Sequence, residues 1–118
     1  WAEGAWDWRS VRETDTLNTA AAKGQDDTKH ICPLQLGVIE RCIKMYSNRN
    51  EIVFSPFAGI GSEGYVALLQ GRRFYGCEIK NEYARAAMSN LVKAESREHD
   101  QLALFAGELE HEACAESA

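Results

Sequence analysis

The sequence predicts an α/β fold built on a parallel sheet, of which this chain holds only a part. Two observations carry that prediction. From Pro33 to Leu91 the patterns run helix, strand, helix, strand, helix, the order of a parallel α/β sheet. A Gly-x-Gly-x-x-Gly spacing, Gly59, Gly61 and Gly64, falls between the first strand and the second helix, where such sheets bind ligands. The two predicted strands are too few to finish the sheet, because both faces and both edges need cover.

The elements follow in chain order. Residues 1–29 are rich in Asp, Glu, Thr, Arg and small residues with weak periodicity, and read as an irregular arm with short turns. Trp6 and Trp8 alternate with charged neighbours there, and Asp26-Asp27-Thr28 reads as a solvated turn. Residues 30–97 form the ligand-binding part. Within it Leu34, Leu36, Val38, Ile39, Cys42, Ile43 and Tyr46 fit the one-sided helix template. Pro33 suits its first turn, where a missing N–H is harmless, and Ser47-Asn48-Arg49-Asn50 ends it. Glu51 to Ser55 is a short β-branched and aromatic run, expected as a buried strand, and Pro56 stops it.

Ser62 to Gln70 is the next helix, with Gly71 as its terminator. Arg73 to Ile79 is the second strand. Asn81 can cap a third helix, whose inner face is marked by Tyr83, Ala84, Ala87, Met88 and Leu91. Past Lys93 the pattern fades. Residues 98–118 are charged, and from Ala106 onward the composition predicts a disordered acidic tail.

Composition narrows the function classes. The chain has 118 residues and a formal charge of −5, so it is one domain or a piece of one and not a basic nucleic-acid binder throughout. Glu108, Glu110, Glu112 and Glu116 crowd the tail and the rest of the chain is nearly balanced in charge, so a local DNA contact stays open. Lys29, Arg72, Arg73 and Lys80 stand nearest the strand ends, although solvated surface charge explains each of them as well. No apolar run approaches the about eighteen residues of a membrane span, and no signal-peptide pattern opens the chain. The chain begins at Trp1, which points to a piece of something longer. Cys32, Cys42, Cys77 and Cys114 lie far apart, and His30, His99 and His111 form no ligand spacing with them. No metal is expected, and the cysteines read as reduced, mostly buried thiols of a cytoplasmic protein.

The glycine loop follows a strand and opens a helix, and Glu78 closes the next strand. Small residues let backbone approach a ligand, a helix start offers free N–H groups, and a carboxylate at the second strand end can accept from two ribose hydroxyls. A tight strand–helix turn alone would also use these glycines. A dinucleotide site competes, because Glu78 follows Gly59 by nineteen residues, close to the roughly twenty of that fingerprint. Against it, Pro56-Phe57-Ala58 separates strand from first glycine, and a long amphipathic helix precedes the strand. A cofactor with one ribose and no pyrophosphate fits better, and S-adenosylmethionine is one.

The stretches "KHICPLQLGVIERCIKMYS" and "EIVFSPFAGIGSEGYVALLQGRRFYGCEIKNEYARAAMSNL" resemble the C-terminal half of DNA amino-methyltransferases of the phage and prophage type. "TDTLN" at Thr14 to Asn18 and "QLALFA" in the tail resemble the lead-in and end of the same proteins. The resemblance implies a Rossmann-like, S-adenosylmethionine-dependent fold, incomplete here, and methylation of adenine N6 or cytosine N4 in double-stranded DNA. The family's Asp-Pro-Phe-x-Gly-x-Gly loop corresponds to Ser55, Pro56, Phe57, Ala58, Gly59, Ile60 and Gly61, which should wrap the methionine end of the cofactor. Glu78 matches the family's acidic residue for the ribose, and His30 and Pro33 match its His-x-x-Pro support of the cofactor's amino-acid end. Ser55 departs from the usual Asp and removes a carboxylate near the cofactor's ammonium. Glu63, where Thr is frequent, favours the positive helix start.

The family's catalytic element is a separate Asp/Asn/Ser-Pro-Pro-aromatic tetrapeptide that holds the flipped base and its amine. Pro33 and Pro56 are the only prolines, and no Pro-Pro occurs, so catalytic residues are not expected in this chain and it should not methylate DNA alone. The resemblance implies direct transfer of the sulfonium methyl to an exocyclic amine, driven by alignment. The other readings are a non-catalytic prophage remnant or interaction module, and a fragment of an NAD-dependent oxidoreductase.

Overall fold

The computed structural model describes the backbone of residues 11–20 and 32–116 and the side chains up to residue 100. Trp6, Trp8, Asp26 to Thr28, Lys29 and His30 therefore lie outside the described residues. The elements are α1 (Leu36–Tyr46), β1 (Ile52–Ser55), α2 (Ser62–Leu69), β2 (Arg73–Gly76) and α3 (Asn81–Glu116). β1 and β2 pair in parallel, with Val53 opposite Phe74 and Phe54 opposite Tyr75. Order and sheet type match the sequence pattern.

α1 starts later than Pro33, which stays outside the helix. Its cap, Gln35, is extended and makes no side-chain capping bond. The Leu36 N–H instead donates to the Asp15 carbonyl at 2.8 Å, so part of the arm satisfies a donor that the helix start leaves open. α2 ends as predicted. Gly71 takes φ +69°, its N–H donates to Leu68 and that of Arg72 to Ala67, both at 2.9 Å. This paired closure is the Schellman stop.

The core gathers Ile39 and Ile43 of α1, Tyr65, Val66 and Ala67 of α2 and Ala94 of α3, with Val53 and Phe74 packed against them. All three helices thus cover one face of the sheet. The opposite face corrects the expectation of a fully buried strand, because Ile52 and Phe54 are each 57% exposed and Tyr75 67%. A hydrophobic run marks a strand but does not specify how many of its faces are covered, and the described helices occupy a single side.

α3 differs most from the sequence reading. It runs unbroken from Asn81 to Glu116, so the boundary at 98 and the acidic tail after Ala106 fall inside a helix. Ala, Leu and Glu, abundant there, are strong helix formers, and extending an existing helix needs no new nucleus. Its start also moves. The Lys80 carbonyl accepts from Ala84 N–H at 3.0 Å, which makes Asn81 the first helical residue and not the cap. Its inner face keeps Ala87 buried and Tyr83, Ala84 and Leu91 half-buried as expected, but Met88 is 62% exposed, and Ala86 and Ala94 are buried in addition. Cys32, Cys42 and Cys77 are exposed free thiols, not buried ones. Among the described residues no helix is long and apolar enough to cross a membrane, and no group of three or more His, Cys, Asp and Glu is placed to hold a metal.

Candidate functional site

Because β1 and β2 run in parallel, both deliver their following loops to the same sheet end. Pairing continues one step past the strands, with Cys77 N–H donating to Ser55 O at 2.9 Å and Ala58 N–H to Cys77 O at 2.8 Å. Beyond it the chain turns through Gly59 at φ +54° and Gly61 at φ +83°. Both values lie in the left-handed region that glycine enters without strain. Gly61 also has no room for a side chain, since a Cβ there would lie 3.1 Å from the Ala87 backbone. A Cβ on Gly59 would meet nothing within 4 Å, so that side of the loop is open to a ligand.

Glu78 is placed by the parallel pairing at the foot of this loop. Its Oε2 accepts from Gly59 N–H at 2.8 Å and its Oε1 from Lys80 N–H at 2.9 Å. The carboxylate therefore joins the glycine loop to the entry of α3, and each oxygen keeps a lone pair for another donor. On the far side of the loop the Asn90 side-chain amide donates to the Ile60 carbonyl at 2.9 Å, and Gly61 N–H donates to Ala58 O at 2.7 Å.

Beside the loop lies a cavity of about 260 Å³, walled by Pro33, Phe57, Ala58, Gly59, Glu63 and Tyr83 among others. Of the predicted site residues it gathers Pro33, Phe57, Ala58 and Gly59. Glu78 stands behind Gly59 and Gly61 behind the loop on α3. Ser55 is buried beneath the turn and Pro56 is exposed, and neither reaches the cavity wall. His30 is outside the described residues. Glu63 sits in the first turn of α2, where the helix dipole favours a carboxylate. Two aromatic rings and a carboxylate suit a cationic ligand group, and the open flank of Gly59 suits close backbone approach. These residues fit a sulfonium cofactor.

The basic residues near the strand ends have other work. Arg72 donates to Ser47 O at 2.8 Å, Ser47 Oγ at 3.2 Å and Gln70 O at 2.7 Å, tying the end of α2 to the end of α1. Arg73 Nε donates to Asn50 O at 3.0 Å. Lys80 Nζ lies 5.0 Å from the centroid of the Tyr83 ring, at the rim of the cavity. Sequence reasoning took Tyr83 as core and passed over Asn90. The signal was present in the spacing, because Tyr83, Ala87, Asn90 and Ala94 recur on one helical face.

Comparison with known proteins agrees with this geometry. A family model described as DNA methylase matches residues 1–89. The type II methyltransferase M1.MboII of Moraxella bovis is 35% identical over 82 residues, which is 70% of this chain and 30% of that protein. The DNA adenine methyltransferase YhdJ of Escherichia coli (strain K12) is 38% identical over 66 residues, 56% of this chain and 22% of that protein. The crystal structure of an M1.HpyAVI-SAM complex superposes with a TM-score of 0.51 at 35% identity, covering 58% of this chain and 34% of that one. The chain thus spans about a third or less of the relatives it matches, and its α/β arrangement is a partial Rossmann-like methyltransferase fold. The glycine loop, the carboxylate behind it and the match over residues 1–89 together establish that this chain belongs to the DNA methylase family.

Proposed function

We propose that this chain is the S-adenosylmethionine-binding portion of a DNA amino-methyltransferase acting on adenine N6 or cytosine N4. The observation that carries the reading is the bond from Gly59 N–H to the Glu78 carboxylate across two parallel strand ends, beside a cavity walled by Phe57, Glu63 and Tyr83. When bound, the cofactor supplies an activated methyl on a sulfonium. The chain's own residues hold it. Phe57, Tyr83 and Glu63 favour the cationic end, the flank of Gly59 admits it, and the free lone pairs of Glu78 suit the ribose hydroxyls. At about 260 Å³ the cavity is below the range of roughly 300–1,000 Å³ for whole small-molecule sites, so it accounts for one end of the cofactor. The M1.HpyAVI-SAM complex supports the cofactor class, and the DNA methylase family supports double-stranded DNA as substrate, which implies a cytoplasmic protein. Matches to type II methyltransferases support a place in restriction and modification. The catalytic tetrapeptide is not in the sequence, so the base-holding residues come from another segment of the enzyme.

Titration calorimetry with S-adenosylmethionine and S-adenosylhomocysteine tests this directly. Both should bind, NAD should not, and Glu78→Ala should weaken binding on the order of tenfold by removing charge-assisted hydrogen bonds. Unchanged affinity in Glu78→Ala would sink the ribose role, and no binding of either ligand would sink the reading. Incubation of this chain alone with DNA and labelled cofactor should transfer no methyl group.

A further inference from the structure

Asn90 is half-buried on α3 and uses its amide on the glycine loop, thirty residues away in sequence. A peptide unit is planar and trans, so the carbonyl of one residue and the N–H of the next point in opposite directions from one rigid plate. Two such plates matter in the loop. The Ile60–Gly61 plate accepts from Asn90 Nδ2 at its carbonyl, 2.9 Å, and donates from Gly61 N–H to Ala58 O, 2.7 Å. The Ala58–Gly59 plate accepts that bond and donates from Gly59 N–H to Glu78 Oε2, 2.8 Å. The result is one unbroken series: Asn90 amide, plate, plate, Glu78 carboxylate.

We infer that Asn90 is a positioning residue for the cofactor site, holding Glu78 and the open flank of Gly59 in place through these two peptide plates. Every dipole in the series points the same way, from the amide donor to the carboxylate, so each bond strengthens the next. Both plates adjoin a left-handed glycine, the residue type that most readily lets a plate turn over. The bonds at both ends of each plate prevent that turn. Ala87, one helical turn before Asn90, backs Gly61 at 3.1 Å from a would-be Cβ, so α3 supplies both the stop and the hydrogen bond. Asn is a weaker helix former than the alanines around it, and no packing need explains an amide at this position.

This inference rests on the cofactor reading above, and its test separates the two. In the full chain, Asn90→Asp keeps the shape and replaces the donor by an acceptor; Asn90→Ala removes it. Calorimetry with S-adenosylhomocysteine should show affinity falling on the order of tenfold in Asn90→Asp and less in Asn90→Ala, with far-UV circular dichroism unchanged. In a double-mutant cycle with Glu78→Gln, the loss caused by Asn90→Asp should shrink at least about threefold once Glu78 is altered, the mark of coupled sites. Additive losses would overturn the inference. Amide resonances read the same series without ligand. Gly59 and Gly61 N–H should shift in Asn90→Asp while amides of β1 and α1 do not, even if no cofactor binds. Unmoved Gly59 and Gly61 signals would overturn it whatever the calorimetry shows.

Discussion

At the scale of single residues the site depends on backbone that tolerates no side chain. Gly61 combines φ +83° with a would-be Cβ 3.1 Å from the Ala87 backbone. Gly61→Ala should therefore cost about 1–3 kcal/mol from left-handed strain, more if Ala87 cannot retreat, read as a lower thermal midpoint together with weaker cofactor binding. A wild-type midpoint would mean that the loop holds another shape. The sequence made this loop legible, because glycine spacing after a strand and an acidic residue after the next strand have few other uses. It left the role of Asn90 unread: its place on the Tyr83–Ala87–Ala94 face was legible from spacing, but the partner of its amide, thirty residues away, was not. Ser55 was legible as a departure from the family pattern but not as a buried residue below the cavity.

At the scale of elements, α2 is the hub. It touches α1, α3 and both strands, and Ala67 is fully buried at its centre. A small side chain lets two helices and a sheet converge on one helix. Ala67→Leu inserts volume that no neighbour can yield, so it should destabilise the chain by about 1–3 kcal/mol, measured by denaturant melts; a neutral or stabilising result would mean unfilled space around α2. Helix order and the Gly71 stop were legible from periodicity and turn chemistry. The inner face of α3 was legible only in part, since Ala86 and Ala94, which carry little hydrophobic signal, join its buried stripe while Met88 lies outside it. Nor was the length of α3, because helix propensity continued after hydrophobic periodicity had faded.

At the scale of the whole molecule the sheet is one-sided. The Phe54 and Tyr75 rings stack at 6.0 Å between centroids on the face opposite Val53 and Phe74, which pack against the helical core. Exposed apolar groups of this kind promote association. Phe54→Thr combined with Tyr75→Thr should reduce concentration-dependent association in sedimentation experiments while leaving the helical content unchanged; persistent association would locate the contact elsewhere. The strands were recognisable from their β-branched and aromatic residues, yet which face lay bare depended on where the helices settled.

The long last helix has a further effect. α3 covers 36 residues, about 54 Å at the usual helical rise, whereas a strand of four residues spans only about 13 Å. A body this short joined to a rod this long does not tumble as a sphere. Amide vectors along α3 lie nearly parallel to the long axis, so only slow end-over-end tumbling reorients them and their transverse relaxation will exceed that of the loop and sheet amides. Orientation of α3 relative to the glycine loop is thereby encoded in the spin relaxation of the chain.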